Sequence, residues 1–125
     1  MIFRQFFESD SSTYTYILAD PSNRQAAIVD PVDLSFERDL QFVKELGLNL
    51  THLIETHVHA DHITSANKFK DWKGDIKTVV SKVSGANYQD IAVKDGDIIE
   101  VGSLKIKVIS TPGHTDGCTS YFVED

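Results

Sequence analysis

The sequence predicts an α/β layered domain whose elements run strands, helix, strand, helix, strands. Three observations carry that expectation. Residues 13–20 alternate Thr13 and Thr15 against Tyr14, Tyr16 and Leu18, the two-residue period of a strand. Residues 35–46 change to a helical period, with Phe36, Leu40 and Val43 on one stripe. The later chain returns to short apolar runs broken by glycine turns, and this mixture fits layered sheets and helices.

Element by element, Ile2 to Phe7 is an apolar run read as the first strand, and Thr13 to Asp20 is the second. Asp20-Pro21-Ser22-Asn23 is a turn, because proline fixes φ and Asp or Asn can bond its own backbone. Ala26 to Val29 forms a short buried strand ending at Asp30-Pro31. The helix that follows takes Ser35 as N-cap and Gly47 as its C′ stop, with Phe42 and Leu46 beside the apolar stripe. Leu50 to Glu55 is a strand, and a second helix is expected from Ile63 to Trp72, ending near Gly74. Strands follow over Ile76–Val80, Asp97–Val101 and Leu104–Ile109, with Gly102-Ser103 as a hairpin turn between the last two. Thr111-Pro112-Gly113-His114-Thr115 is a loop before a strand from Cys118 to Val123.

Composition narrows the function classes. A length of 125 residues is that of one domain, which usually runs to about 100–150 residues. The formal charge of −7 argues against a nucleic acid or an anionic membrane as partner, and the lysines at 68, 70, 73, 77 and 82 read as a solvated face. No run approaches the roughly 18 apolar residues of a membrane span, and the N-terminus turns acidic too soon for a signal peptide. Cys118 is the single cysteine, so no intrachain disulfide can form, which favours a reducing, cytoplasmic compartment.

The chemistry concentrates in Thr56-His57-Val58-His59-Ala60-Asp61-His62, where three imidazoles and a carboxylate follow a strand. Imidazole suits zinc, iron, copper and nickel, and the carboxylate adds a harder anionic ligand. Capping of the next helix by Asp61 would explain one of these four residues and leaves the other three without a role. His114 sits on a second loop at a strand end and becomes a further ligand candidate. His52 lies inside a strand, where packing explains it. Cys118 is read as a buried apolar residue, since acidic neighbours would raise its thiol pKa. Asp30 is either a plain turn residue or a support for a histidine.

His-x-His-x-Asp-His, the later Pro-Gly-His-Thr and the α/β order between them together resemble the metallo-β-lactamase superfamily. Within it, Phe3-Arg4-Gln5, Ser12 to Tyr16, Ile28-Val29-Asp30-Pro31-Val32, Thr56 to Thr64 and Pro112 to Cys118 resemble the N-terminal half of the persulfide dioxygenases. The resemblance implies an αββα sandwich, mostly antiparallel sheet with outer helices, of which residues 1–125 supply about the first half. It implies oxidation of glutathione persulfide by O₂ to sulfite and glutathione at one Fe(II). His57 and His114 would be iron ligands, with His59, Asp61 and His62 lining the pocket or serving as ligands if two metals bind.

That family's third ligand is an aspartate beyond the second histidine loop, and no acidic residue of this sequence occupies that position. The domain is therefore expected to be truncated at its C-terminus, with an apolar sheet face left bare and self-association or a homo-oligomer as the consequence. Two further readings stand beside the dioxygenase: a glyoxalase II-like hydrolase of glutathione thioesters with two Zn(II) ions, and a non-catalytic metal-binding or assembly fragment.

Overall fold

A computed structural model describes residues 1–56, 66–81, 89–110 and 119–124. The chain starts as a meander: β1 (Ile2–Glu8) pairs antiparallel with β2 (Thr13–Ala19), and β2 pairs antiparallel with β3 (Gln25–Val29). The first hairpin is fastened by the Glu8 carboxylate, which accepts from the Asp10 and Ser11 N–H groups at 2.9 and 2.7 Å. A 3₁₀ turn, Asp33–Ser35, then leads into α1 (Phe36–Glu45). The crossover returns the chain as β4 (Asn49–Ile54), parallel to β3. After α2 (Ala66–Trp72), β5 (Lys77–Ser81) and β6 (Ile91–Val93) extend the same sheet, also in parallel. Its order is β1-β2-β3-β4-β5-β6. A second sheet holds β7 (Ile98–Val101), β8 (Leu104–Ser110) and β9 (Thr119–Glu124), all antiparallel.

Of the seven strand pairings described, four are antiparallel, and the three parallel ones join β3 to β6. The helical crossover between β3 and β4 is what makes a parallel pair possible, since a short turn can only reverse the chain. Most predicted elements fall within a residue or two of their observed bounds. The three-residue strand β6 and the 3₁₀ turn are additions, too short to impose a period on the sequence.

The ends of α1 split the expectation. Gly47 stands just past the helix at φ +62°, and the N–H groups of Gly47 and Leu48 donate to the carbonyls of Lys44 and Val43 at 3.1 and 3.0 Å. Those two bonds make a Schellman stop, as the glycine predicts. Ser35 stands at the N-cap position of the other end, as predicted, but its side chain makes no capping bond. Its hydroxyl donates to the Val32 carbonyl at 3.3 Å, because the 3₁₀ turn already leads the chain into the helix.

Two apolar cores lie on opposite faces of the six-stranded sheet. On one face, Ile17, Ile28, Leu50 and Leu53 pack with Val43 of α1 and Phe69 of α2, joined by Phe36, Leu40, Phe42 and Leu46. The ring of Phe36 meets that of Phe69 edge-on at 4.7 Å, which locks the two helices over the sheet. On the other face, Leu18, Ala27, Val29, Ile54 and Val79 meet Ile99, Val101, Ile106 and Val108 of the second sheet. The bare sheet face expected from the sequence is therefore corrected: this chain supplies strands to both sheets, and their inner faces cover one another. Exposed large apolar side chains lie at the β1–β2 end, where Phe3, Phe7 and Tyr14 are 46, 49 and 50% accessible, and elsewhere at Leu34, Ile98 and Phe122.

One buried carboxylate ties the sheets together at the edge opposite the histidine motif's strand end. Asp20, at the end of β2, accepts from the Ser22 N–H at 2.9 Å, from the Ser103 N–H at 2.8 Å and from both hydroxyls. Gly102 is required beside it: at φ +60°, an added Cβ would stand 2.6 Å from the Asn23 side chain and 2.9 Å from Asp20 Oδ2. The hydrogen bonds from Ser103 and then Ser22 hold the Asp20 carboxyl well below the usual carboxylate range.

A group depressed in the folded state stabilises the fold above its unfolded pKa, about 3.9 for Asp, and loses that contribution as pH falls towards the folded value. Unfolding free energy measured by urea titration between pH 5 and pH 2 is expected to fall less steeply in Asp20→Asn than in the wild type.

Candidate metal centre

Parallel strands present their carboxyl ends on one edge, and in open α/β sheets that edge is where ligands are bound. Here β3 ends at Asp30, and β4 ends at Glu55-Thr56, directly before His57. The strand ends are cross-tied beyond the ladder. Asp30 N–H donates to the Ile54 carbonyl at 2.7 Å, and Glu55 N–H donates to the Val79 carbonyl at 3.0 Å.

Asp30 does more than turn the chain. Its carboxylate accepts from the Thr56 N–H at 2.8 Å and from the Thr56 hydroxyl at 2.6 Å. Its own carbonyl accepts from the Thr15 hydroxyl at 2.8 Å. It is buried, and it takes φ +55°, a region that Asp and Asn enter more readily than other non-glycine residues. The strained backbone is held in place from β2 and from the end of β4, and its reward is a fixed exit for the chain at Thr56.

The second sheet reaches the same edge. Ser110, the last residue of β8, pairs with Thr119, the first of β9, so residues 111–118 span between these two paired positions. Two residues into β9, the Tyr121 hydroxyl donates to the Glu55 carbonyl at 2.9 Å. Burial, followed by the negative charges of Asp30 and Glu55, pushes this phenol above its ordinary pKa, so it remains a donor. A cavity of about 240 Å³ opens beside the bond, lined by Thr56, Tyr121, Phe3, Tyr16, Val29 and Val123 among others. Its walls are mostly apolar, with the two phenols and the threonine hydroxyl as polar points.

This frame is enough to set the chain beside known proteins. Residues 10–125 match the profile of the metallo-beta-lactamase superfamily. The chain belongs to that superfamily. It is 42% identical over all 125 residues to the bovine (Bos taurus) protein named persulfide dioxygenase ETHE1, mitochondrial, and 40% identical to the human one. Among solved structures, ETHE1 from Myxococcus xanthus superposes with a TM-score of 0.91 at 49% identity, over 98% of this chain and 54% of that one. A metallo-beta-lactamase from Staphylococcus aureus follows with a TM-score of 0.86 at 33% identity, over 100% of this chain and 39% of that one. The chain spans about half the length of the curated relatives it matches.

His57, His59, Asp61, His62 and His114, the residues that the sequence nominates, lie outside the described residues, as does Cys118. Within the superfamily frame, the structure supplies the anchors of their segments: Thr56 before one, Ser110 and Thr119 around the other. His52 lies within β4, its Nδ1 2.7 Å from the Thr51 hydroxyl, and burial lowers its pKa. Among the described residues, no helix is long and apolar enough to cross a membrane. Thr56 and Tyr121 are the site-edge residues that sequence reasoning missed. Thr56 opens the motif and could have been suspected, whereas Tyr121 carries no pattern beyond strand alternation.

Removing the Asp30 carboxylate takes away an acceptor of two half-buried Thr56 donors, a loss of about 1.5–3 kcal/mol for hydrogen bonds to a charged group. Asp30→Ala is expected to lose that much in a urea titration. Asp30→Asn should lose less, because it keeps an acceptor oxygen and tolerates the positive φ.

Proposed function

We propose that the chain carries the metal-binding part of a persulfide dioxygenase, which oxidises glutathione persulfide with O₂ and water to sulfite and glutathione. The observation that supports this most is the shared edge: the anchors of the His57 and His114 segments stand on one side of the sandwich, bridged by the bond from Tyr121 to Glu55. Whole-chain identity of 40–42% to the two mammalian persulfide dioxygenases points the same way. The donor set fits iron: imidazoles with a carboxylate hold Fe(II) while leaving positions open. His57 and His114 would hold it, with an aspartate supplied from outside these 125 residues as the third ligand. His59, Asp61 and His62 would line the pocket as polar groups.

When bound, Fe(II) supplies open positions that admit both O₂ and a sulfur atom. The protein's own part is placement. Asp30 and Thr56 fix where the His57 segment leaves the sheet, and the apolar walls formed by Phe3, Val29 and Val123 limit water on one side. A single cysteine suits a reducing compartment, the cytoplasm on the sequence reading.

A binuclear zinc hydrolase of glutathione thioesters uses the same ligand types, so metal content is the deciding measurement. Anaerobic loading of the chain followed by elemental analysis is expected to give one iron, reduced in His57→Ala and in His114→Ala. Two zinc ions per chain, with thioester hydrolysis, would replace the dioxygenase reading by the hydrolase. O₂ uptake with glutathione persulfide is expected from the iron-loaded chain once it is extended to the relatives' length. Absence of uptake there would end the dioxygenase proposal.

The exposed aromatic face of β1 and β2 supports self-association of the 125-residue chain. Light scattering over a concentration series is expected to show mass rising above 14.0 kDa, with Phe3→Ser and Phe7→Ser lowering it.

A further inference from the structure

We propose that Tyr121 is a positioning residue for the metal centre, its phenol holding the anchor of the His57 segment at a set distance from the strand that follows His114. This rests on the metal-site reading above and deepens it. Three observations carry it. The hydroxyl of Tyr121 donates to the Glu55 carbonyl at 2.9 Å, and Glu55 stands two residues before His57. Backbone pairing fixes Tyr121 opposite Val108 in β8, so its ring cannot shift along the sheet without breaking register. The bond also crosses between sheets: Glu55 belongs to the first, whose β4 it ends, and Tyr121 to the second.

Apolar packing alone would let the two sheets slide by fractions of an ångström, since burial has no direction. A hydrogen bond is directional, and at this place it ties together the two anchors that need a fixed separation. Asp20 to Ser103 and Gln25 to Gly102 also tie the sheets, but at the opposite, turn edge, where they leave the separation at this edge unset. Asp30 and Thr56 hold the exit from within the first sheet, and Tyr121 relates that exit to the second. Groups that orient metal ligands without touching the metal typically change affinity by about 10–100-fold.

The test compares Tyr121→Phe with Ser103→Ala. Both remove one hydroxyl that bonds across the two sheets, but Ser103 bonds to Asp20 at the edge opposite the candidate site. Binding of Co(II) to the 125-residue chain would be followed by calorimetry and by its visible d–d absorption, with thermal unfolding measured alongside. Tyr121→Phe is expected to weaken Co(II) binding about 10-fold and to alter the d–d bands. Ser103→Ala should leave both as in the wild type, whatever its change in melting temperature. Equal Co(II) affinity and spectrum in Tyr121→Phe and wild type would overturn the role of Tyr121 and leave the metal centre standing. Equal losses in the two variants would likewise reduce Tyr121 to ordinary packing. A wild-type chain that binds no Co(II) would overturn the metal-site reading, and the role of Tyr121 with it.

Discussion

The Asp30 carboxylate, with two bonds to Thr56, is the constraint on which the functional edge depends. Beyond Ile54 the regular ladder ends: Glu55 is still held by Val79 and Tyr121, and the next residue must be kept from swinging outward. Asp30 stops that swing by accepting both the N–H and the hydroxyl of one residue, which fixes Thr56 in position and in rotation. The cost is a positive φ at a residue with a side chain, of order 1–3 kcal/mol for such backbone. Bonds from Thr15 and to Ile54 offset it by using the polar atoms of Asp30 completely enough that no relaxed alternative keeps them all.

Around that point, the sandwich divides its labour between directionless and directed forces. The two apolar cores hold the layers together, and each fully buried Ile or Leu among them contributes about 1.5–3 kcal/mol before entropy is set against it. Burial does not choose a sliding position for one sheet over the other. Among the described residues the choice is made at polar ties, Asp20 and Gln25 to the Gly102-Ser103 turn and Tyr121 to Glu55, at opposite ends of the inter-sheet core. Sparse polar contacts of this kind specify an arrangement that packing stabilises.

Legibility in the sequence followed the strength of the local signal. The stripe of Phe36, Leu40 and Val43 announced α1, and Gly47 announced its stop, because both act through neighbours within a turn. The alternation over Thr13–Ala19 announced β2 for the same reason. Ser35 misled only about its bond, since a serine before a helix makes one only if the backbone has not already begun to turn. The pairing of sheets was illegible: that residues 98–124 belong to a second sheet facing the first depends on contacts between residues far apart in the chain, such as Ile54 with Ile106. At the site, the histidine motif stood out by composition, whereas Tyr121 looked like any aromatic residue in a strand. Its role comes from a single bond across 66 positions of sequence.

Under the proposal above, the ligand candidates His57 and His114 lie outside the described residues. The anchors, by contrast, sit where strands end, and each is bonded to a strand other than its own. Asp30, Thr56 and Tyr121 thus hold the strand ends by bonds that join different strands. The likeness of this chain to a Staphylococcus aureus metallo-beta-lactamase, at a TM-score of 0.86 and only 33% identity, shows how far sequence can drift while the frame holds.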